Sequence, residues 1–255
     1  MTAIAYETFW LGRRSLRRFL RVPSNAASII IYPLIQLLLF SQLFADIVKL
    51  PGFGPSGSYL AYLAPGQVVF TVFIATSWAG SGLLLDLHTG FLDKLRVAPV
   101  RRGSILAGEL APLAFESGAM GGVVLLVAWL LGASIGTGIP GALAIIGLGG
   151  LFGFAWAGIS FAAALLTKSD QAAGTISMLF FPLGFTSTAF VPVAMMPGWL
   201  RVVNDWNPVS YVIEGMRSLM TGWDPGAIGA ALLATAILAA LTHIPAALAF
   251  RRLAR

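Results

Sequence analysis

The stretch PGALAIIGLGGLFGFAWAGISFAAALL, Pro140 to Leu166, decides the class of fold. It runs for 27 residues without a charged side chain, and a helix needs about 20 mainly apolar residues to cross a bilayer. Its apolar residues are continuous rather than alternating, which favours a helix over a barrel strand. We therefore expect a membrane-spanning helix here.

The rest of the chain repeats this pattern. Of its 255 residues 58% are hydrophobic and 10% are charged, against about 25% charged residues in soluble domains. Five further apolar runs are long enough to span: Ala26–Ala45, Leu60–Leu83, Ile105–Gly132, Gln171–Val191 and Ala227–Phe250. The sequence predicts an all-α integral membrane protein of six spans in a single domain, residues 1–255, with a tight hairpin at Thr167–Asp170.

Basic residues predict the orientation of these spans, because Lys and Arg concentrate in cytoplasmic loops. With the N-terminus inside, the outer segments hold only Lys49, Arg201 and Arg217 among the 16 basic residues. Both termini are then cytoplasmic. The net charge of +6 follows from this placement at the ends of apolar runs, and does not indicate a nucleic-acid partner.

Residues 2–22 precede the first span and predict an amphipathic helix on the inner membrane surface. One helical face collects the basic side chains Arg13, Arg14, Arg17, Arg18 and Arg21, and the opposite face collects Phe9, Leu16, Phe19 and Leu20. This pattern suits contact with anionic lipid head groups. The helix is either a simple topology anchor or an elbow that also touches a cytoplasmic partner.

Residues 192–222, between spans five and six, are too apolar for a free outer loop and too short to span. Asn207 before Pro208 is a typical helix start, and Gly222 a typical stop. We expect re-entrant or interfacial helices here. Glu214 and Arg217 are one turn apart, so we expect them to pair, and they are candidates for an outer gate.

The longest polar insertion is LLLDLHTGFLDKLRVAPVRRGSILAGE, Leu83 to Glu109. In its middle Phe91, Leu92 and Leu95 share a helical face while Asp93, Lys94 and Arg96 point elsewhere. A short amphipathic helix below the membrane suits a groove on a soluble partner. The competing interpretation is a solvated loop.

Two carboxylates stand in the third span. Glu109 lies near the inner end, where we expect it to reach the interface, and Glu116 lies deeper, where an ionisable group usually faces a cavity or a partner. Gln36 and Gln42 in the first span suit hydrogen bonds between helices.

Several functional classes are excluded by missing residues. The chain has no cysteine, and its two histidines, His88 and His243, are far apart, so no usual metal-ligand cluster occurs. It contains no GxxxxGK[ST], HExxH or GxSxG motif. Two hypotheses remain: a transport subunit driven by a separate motor, or a motor-free carrier coupled to protons through Glu116.

Three features resemble the membrane subunits of type-2 ATP-binding-cassette exporters, the family of the daunorubicin-resistance permeases and of polysaccharide and teichoic-acid exporters. These are the basic N-terminal helix, the segment GFLDKLRVAPVRRGSILAGE after the second span, and NPVSYVIEGMR before the last. The second is similar to the family's Gly-x-x-(Asp/Glu)-Lys-Leu…Pro-x-x-Arg segment, and the third to its Asn-Pro-x-x-(Tyr/His)…Arg stretch.

The resemblance implies a cytoplasmic coupling helix within residues 84–104 that docks on the ATPase subunit. The implied docking residues are Asp86, Phe91, Leu92, Lys94, Leu95, Arg96 and Arg101, with Thr167–Asp170 as a second contact loop. It also implies a substrate pathway between two permease subunits, lined by the first, second and fifth spans, for which the candidates are Tyr32, Gln36, Phe70, Phe73, Met178 and Phe181.

The assembly implied by the resemblance has two ATPase copies and a second permease, identical or paralogous, in a bacterial cytoplasmic membrane. ATP and magnesium then belong to the ATPase, and this chain binds no cofactor and catalyses no reaction. The expected substrate is a drug or lipid moved outward. The alternative within the family is a polysaccharide or a lipid-linked glycan.

Overall fold

The computed structural model describes residues 3–21, 23–53, 58–90 and 102–253. Within them the chain forms eleven α-helices and two short 3-10 segments, Ala45–Lys49 and Val193–Met195. The helices are α1 Ala3–Leu20, α2 Pro23–Leu43, α3 Tyr59–Thr76, α4 Ala79–His88, α5 Arg102–Leu130, α6 Gly138–Thr167, α7 Asp170–Ser177, α8 Phe180–Phe185, α9 Gly198–Asp205, α10 Pro208–Thr221 and α11 Pro225–Leu253.

Five stretches of the described chain are long and apolar enough to cross a membrane. They are Ala26–Leu43, Tyr59–Asp86, Gly103–Leu130, Gly138–Thr167 and Pro225–Phe250. They confirm the helical membrane class and correspond to predicted spans one, two, three, four and six.

The fifth predicted span, Gln171–Val191, is not one continuous helix. It folds as the short helices α7 and α8, separated by a turn in which the amide of Met178 bonds the carbonyl of Thr175. Pro182 explains the break, because proline has no N–H to donate and its ring collides with the carbonyl four residues earlier, here Met178. Sequence hydropathy alone does not report this interruption.

The second span is also broken, between α3 and α4. The hydroxyls of Thr76 and Ser77 donate to carbonyls of the preceding turn, at 3.0 Å from Val72 and 2.8 Å from Phe73, a pattern that bends helices. At the start of α4 the amide of Gly80 donates to the hydroxyl of Ser160 on α6, at 3.0 Å. The joint is therefore held by a side chain from a neighbouring helix.

Helix α3 lies at the centre of the bundle. In an apolar stretch of 18 residues within Tyr59–Asp86, 61% of residues are buried, against 22% in Ala26–Leu43 of α2 and 17% in a stretch of the same length within Pro225–Phe250 of α11. Its side chains form one core with aromatic and aliphatic side chains of α5, α6 and α10. Helices α2 and α11 lie at the periphery and present most of their apolar side chains outward.

Helices α5 and α6 approach closely through glycine. A β-carbon on Gly118 would lie 3.0 Å from the carbonyl oxygen of Ile146, and one on Gly150 would meet the carbonyl of Ala114. Small residues at such crossings let backbones touch, which is how membrane helices gain packing energy without a hydrophobic driving force.

Thr167–Asp170 forms the predicted tight hairpin between α6 and α7. Lys168 adopts a left-handed conformation, with φ of 54°. The hydroxyl of Ser169 then caps α7 by accepting the amide of Ala172 at 3.3 Å.

Residues 192–222 contain α9 and α10, with the start of α10 where the sequence predicts it. The Asn207 side chain accepts the amide of Val209 at 3.0 Å and donates to the carbonyl of Leu183 at 2.6 Å. The amide of Gly136, in the loop before α6, donates to the carbonyl of Met220 at 2.6 Å. These bonds tie α10 to the end of α8 and to the loop between α5 and α6.

Candidate functional site: a charged cleft beside the first helix

The site lies at the end of the bundle where α4 stops and α5 begins. We call it the island end, because the polar insertion Leu83–Glu109, which we call the island, connects these two helices. Four side chains meet there from three helices: Arg14 and Arg18 of α1, Asp86 of α4 and Glu109 of α5. We call these four residues the charge cluster. It flanks residues 91–101, which lie outside the described residues.

Helix α1 reaches the cluster because small residues allow it to lie against α5 and α4. A β-carbon on Gly12 would lie 3.2 Å from Pro112, and one on Gly108 would lie 2.5 Å from that of Leu11. On α4, a β-carbon on Gly82 would lie 2.7 Å from the Arg18 guanidinium. Because residue 82 is glycine, the Arg18 side chain has room to cross α4.

Within the cluster each arginine contacts both carboxylates. Arg14 binds Asp86 with two hydrogen bonds of 2.7 Å and approaches Glu109 at 3.5 Å. Arg18 lies 3.1 Å from Glu109 and 3.6 Å from Asp86, and the hydroxyl of Ser15 donates to Glu109 at 3.3 Å. Such forked pairs fix geometry as well as adding energy.

Burial makes this pairing necessary. The side chains of Asp86 and Glu109 are 6% and 7% exposed, whereas those of Arg14 and Arg18 are 38% and 37% exposed. The hydrogen bonds to Asp86 raise the pKa of Arg14 above its usual value. Its guanidinium therefore stays charged at any pH at which the protein is handled.

Beside the cluster a cleft of about 600 Å³ opens between α1, α2, α3, α4 and α5. Its polar lining comes from Ser15, Arg18, Ser28, Glu109 and Glu116, and its apolar lining includes Phe19, Ile29, Ile74, Trp78 and Leu113. We call it the charged cleft.

Glu116 stands deepest along α5, roughly 21 Å from the helix start at 1.5 Å per residue. It is 8% exposed and makes no hydrogen bond or ion pair with another residue in the described part of the chain. The expectation that Glu116 faces a cavity is confirmed. Glu109 is buried against two arginines of α1, and whether it lies at the membrane interface stays a prediction.

The structure distributes the α1 arginines differently from the sequence pattern. Arg13, Arg17 and Arg21 are exposed, as a head-group-facing surface requires, but Arg14 and Arg18 turn toward buried carboxylates. Helical periodicity places all five on one side but does not reveal partners 72 and 91 residues away. The signal available in the sequence was the pair of acidic residues at the two ends of the island.

Among the predicted docking residues, only Asp86 lies in a described segment, and its carboxylate binds Arg14 of the same chain. Phe91, Leu92, Lys94, Leu95, Arg96 and Arg101 lie outside the described residues. Their assignment as ATPase contacts stays a prediction.

The predicted pathway residues occupy two environments. Phe70 and Phe73 are fully buried and pack against the aromatic rings of α8, with the ring centres of Phe73 and Phe180 4.0 Å apart. Tyr32 and Met178 are exposed on the surface of the protomer. Phe181 is half-buried and Gln36 is buried, with no hydrogen-bond partner for its Oε1 in the described chain.

The predicted pair at the other end of the bundle forms: Arg217 binds Glu214. Arg217 also donates to the carbonyls of Thr188, at 2.8 Å, and Tyr62, at 3.3 Å, and lies 3.8 Å above the Tyr62 ring. The Tyr62 hydroxyl donates to Thr188 as well, at 2.9 Å. Sequence spacing predicted the ion pair but not that Arg217 joins α10 to α3 and the segment after α8.

A bundle of long apolar helices carries a basic helix at its island end and the short helices α9 and α10 at the other. This architecture suits a protein that works within a membrane. Residues 6–221 match the family model of the ABC-2 type transporter, and the chain belongs to that family as a permease subunit of an ABC system.

Several curated proteins are similar over most of their length. The daunorubicin resistance ABC transporter permease protein DrrB1 of Streptomyces coeruleorubidus is 30% identical over 84% of this chain and 76% of its own. A putative transport permease of Cyanophora paradoxa, ycf38, is 33% identical over 84% and 73%. The probable doxorubicin resistance permease protein DrrC of Mycobacterium tuberculosis is 24% identical over 96% and 88%.

Proposed function

We propose that this chain is the membrane subunit of an ATP-driven exporter that moves a hydrophobic or amphipathic molecule, a drug or a lipid, outward across a bacterial cytoplasmic membrane. Family membership carries the proposal, and two relatives named for daunorubicin and doxorubicin resistance support the drug class. Two copies of a separate ATPase subunit bind ATP and magnesium and carry out the hydrolysis.

The charge cluster supports transmission from the ATPase at the island end. The segment 91–101 connects α4 to α5, and both helices are bound to α1 by the same two arginines. A displacement of that segment therefore acts on three helices together. In the proposed assembly this end faces the cytoplasm, together with both termini.

The proposed arrangement in the membrane has six crossings. The pair α7–α8 forms the fifth as an interrupted helix, and α9 and α10 dip into the outer leaflet. Exposed apolar residues of α2 and of the α7–α8 pair, such as Ile35, Leu39, Ile176 and Leu179, then face a second permease subunit, identical or paralogous. The substrate pathway lies between the two subunits.

The decisive experiment is affinity purification of the tagged chain from membranes in mild detergent, with its partners identified and ATP hydrolysis measured. An ATPase subunit should copurify, and Leu95→Asp should remove it, because a carboxylate replaces the predicted apolar anchor. Lys49→Glu changes an exposed residue, 73% exposed, before α3, and is the matched control. A chain that purifies alone, even after crosslinking in membranes, would overturn the proposal.

A proton-coupled carrier without a motor is the second candidate, because Glu116 is a buried carboxylate facing a cleft. Reconstitution with the ATPase separates the two. Transport that needs ATP and persists without a proton gradient supports the exporter, whereas transport driven by the gradient alone and lost in Glu116→Gln supports the carrier.

A further inference from the structure

We propose that the charged cleft binds a lipophilic cation, with the Glu116 carboxylate as its counter-ion and the Trp78 side of the cleft as its apolar contact. This deepens the proposed function by naming a substrate class, and it rests on that function only for the step of transport. Binding itself is a property of this chain.

The balance of charge around the cleft is the first argument. Arg14 and Arg18 carry two positive charges, and both are taken up by Asp86 and Glu109 at distances of 2.7–3.6 Å. Glu116 adds a third carboxylate that forms no ion pair among the described residues. Arg18 attracts it through space, but that guanidinium is already bound to Glu109. Among the described residues, three carboxylates against two arginines leave one negative charge in excess, which is stable in a buried place only when a cation arrives or the group gives up its charge.

The shape and lining of the cleft are the second argument. Its volume of about 600 Å³ lies within the range of small-molecule sites, roughly 300–1,000 Å³. Phe19, Ile29, Ile74 and Leu113 supply apolar surface. Trp78 is 50% exposed, and an indole face attracts cations at short range. A hydrated inorganic cation would gain no binding energy from these apolar walls, whereas an organic cation would bury apolar surface against them.

An anionic ligand fits less well. Arg18 also lines the cleft, but its guanidinium is bound to Glu109 at 3.1 Å and lies 3.6 Å from Asp86. Arg18 Nη1 has no hydrogen-bond partner among the described residues, but it is buried, and an anion placed there would stand near the carboxylates of Asp86, Glu109 and Glu116. Lipid phosphate is therefore the weaker candidate and becomes an outcome of the test.

The test uses the full-length chain in nanodiscs of phosphatidylcholine and follows the fluorescence anisotropy of rhodamine 6G, a cationic dye. Tetraphenylphosphonium should displace the dye, and tetraphenylborate, which has the same shape and the opposite charge, should not. Glu116→Gln should weaken binding about tenfold or more, as the loss of one charge contact predicts. Glu116→Asp should retain most of the affinity.

The matched control is Asp46→Asn, which removes an exposed carboxylate, 83% exposed, outside the charged cleft and should leave binding unchanged. Trp78→Leu is a second variant that keeps the charge and should also weaken binding, so the test does not depend on how well the Glu116 variants fold. Equal displacement by both tetraphenyl ions, unchanged affinity in Glu116→Gln, or tighter binding of the anion would overturn the proposal.

The two proposals fail separately. Loss of cation binding with ATP-dependent export intact removes only the substrate assignment. Binding that follows Glu116 in a chain with no ATPase partner removes only the exporter.

Discussion

At the scale of single residues, Arg217 makes three different kinds of contact. It combines an ion pair with Glu214, hydrogen bonds to two carbonyls and a position above the Tyr62 ring. Its side chain is 11% exposed. Because these contacts reach α3 and the segment after α8 as well as α10 itself, truncating Arg217 removes a connection between three segments.

Arg217→Gln should therefore lower the free energy of unfolding by about 1.5–3 kcal/mol, the usual range for hydrogen bonds to a charged group. Tyr62→Phe keeps the ring under the guanidinium and removes only one neutral bond, to Thr188 at 2.9 Å, so its loss should be about 1 kcal/mol. Unfolding in mixed detergent measures both. A larger loss for Tyr62→Phe than for Arg217→Gln would contradict the assignment.

The pair Arg14–Asp86 is open to a double-mutant cycle. Arg14→Gln and Asp86→Asn should each destabilise the protein, and the double variant should lose less than their sum, with a coupling of about 0.5–3 kcal/mol. Arg17→Gln alters an exposed arginine on the same helix and should have little effect. Additive losses for Arg14 and Asp86 would show that the bidentate contact contributes nothing.

At the scale of helices, the crossing of α5 and α6 allows a sharp comparison. A β-carbon at Gly150 meets the backbone of Ala114, whereas one at Gly147, a turn away on the same helix, has nothing within 4 Å. Gly150→Ala should destabilise the bundle by about 1–3 kcal/mol through overpacking. Gly147→Ala should be neutral or stabilise by up to about 1 kcal/mol, because alanine is the better helix former. Thermal unfolding of the two variants side by side is the measurement, and equal effects would refute close packing.

Sequence reasoning is strongest at this scale and weakest where an element is interrupted. Hydropathy predicts α2, α5, α6 and α11 within a few residues, and Asn207 predicts the start of α10, because both signals are local. The break before Ala79 depends on a hydrogen bond to Ser160 of a distant helix. The break before Phe180 depends on where Pro182 falls within the span. The charge cluster depends on contacts between distant segments, which one sequence does not report.

At the scale of the whole molecule, the proposed orientation has a direct test, because the chain contains no cysteine. Thr89→Cys and Thr221→Cys each introduce a single thiol at an exposed position near opposite ends of the bundle. A membrane-impermeant maleimide added to spheroplasts should label position 221 in intact cells and position 89 only after permeabilisation. The reverse pattern would invert the topology.

The joint between α3 and α4 has a mechanical consequence. Helix α4 is a short strut fixed at both ends, by the Gly80–Ser160 hydrogen bond to α6 and by the bidentate Arg14–Asp86 contact to α1. Since α4 is not continuous with α3, a displacement of the C-terminal end of α4 is not transmitted directly along the central helix. It is transmitted to α1 and α6 instead, so that α3 can stay in place while the outer helices tilt.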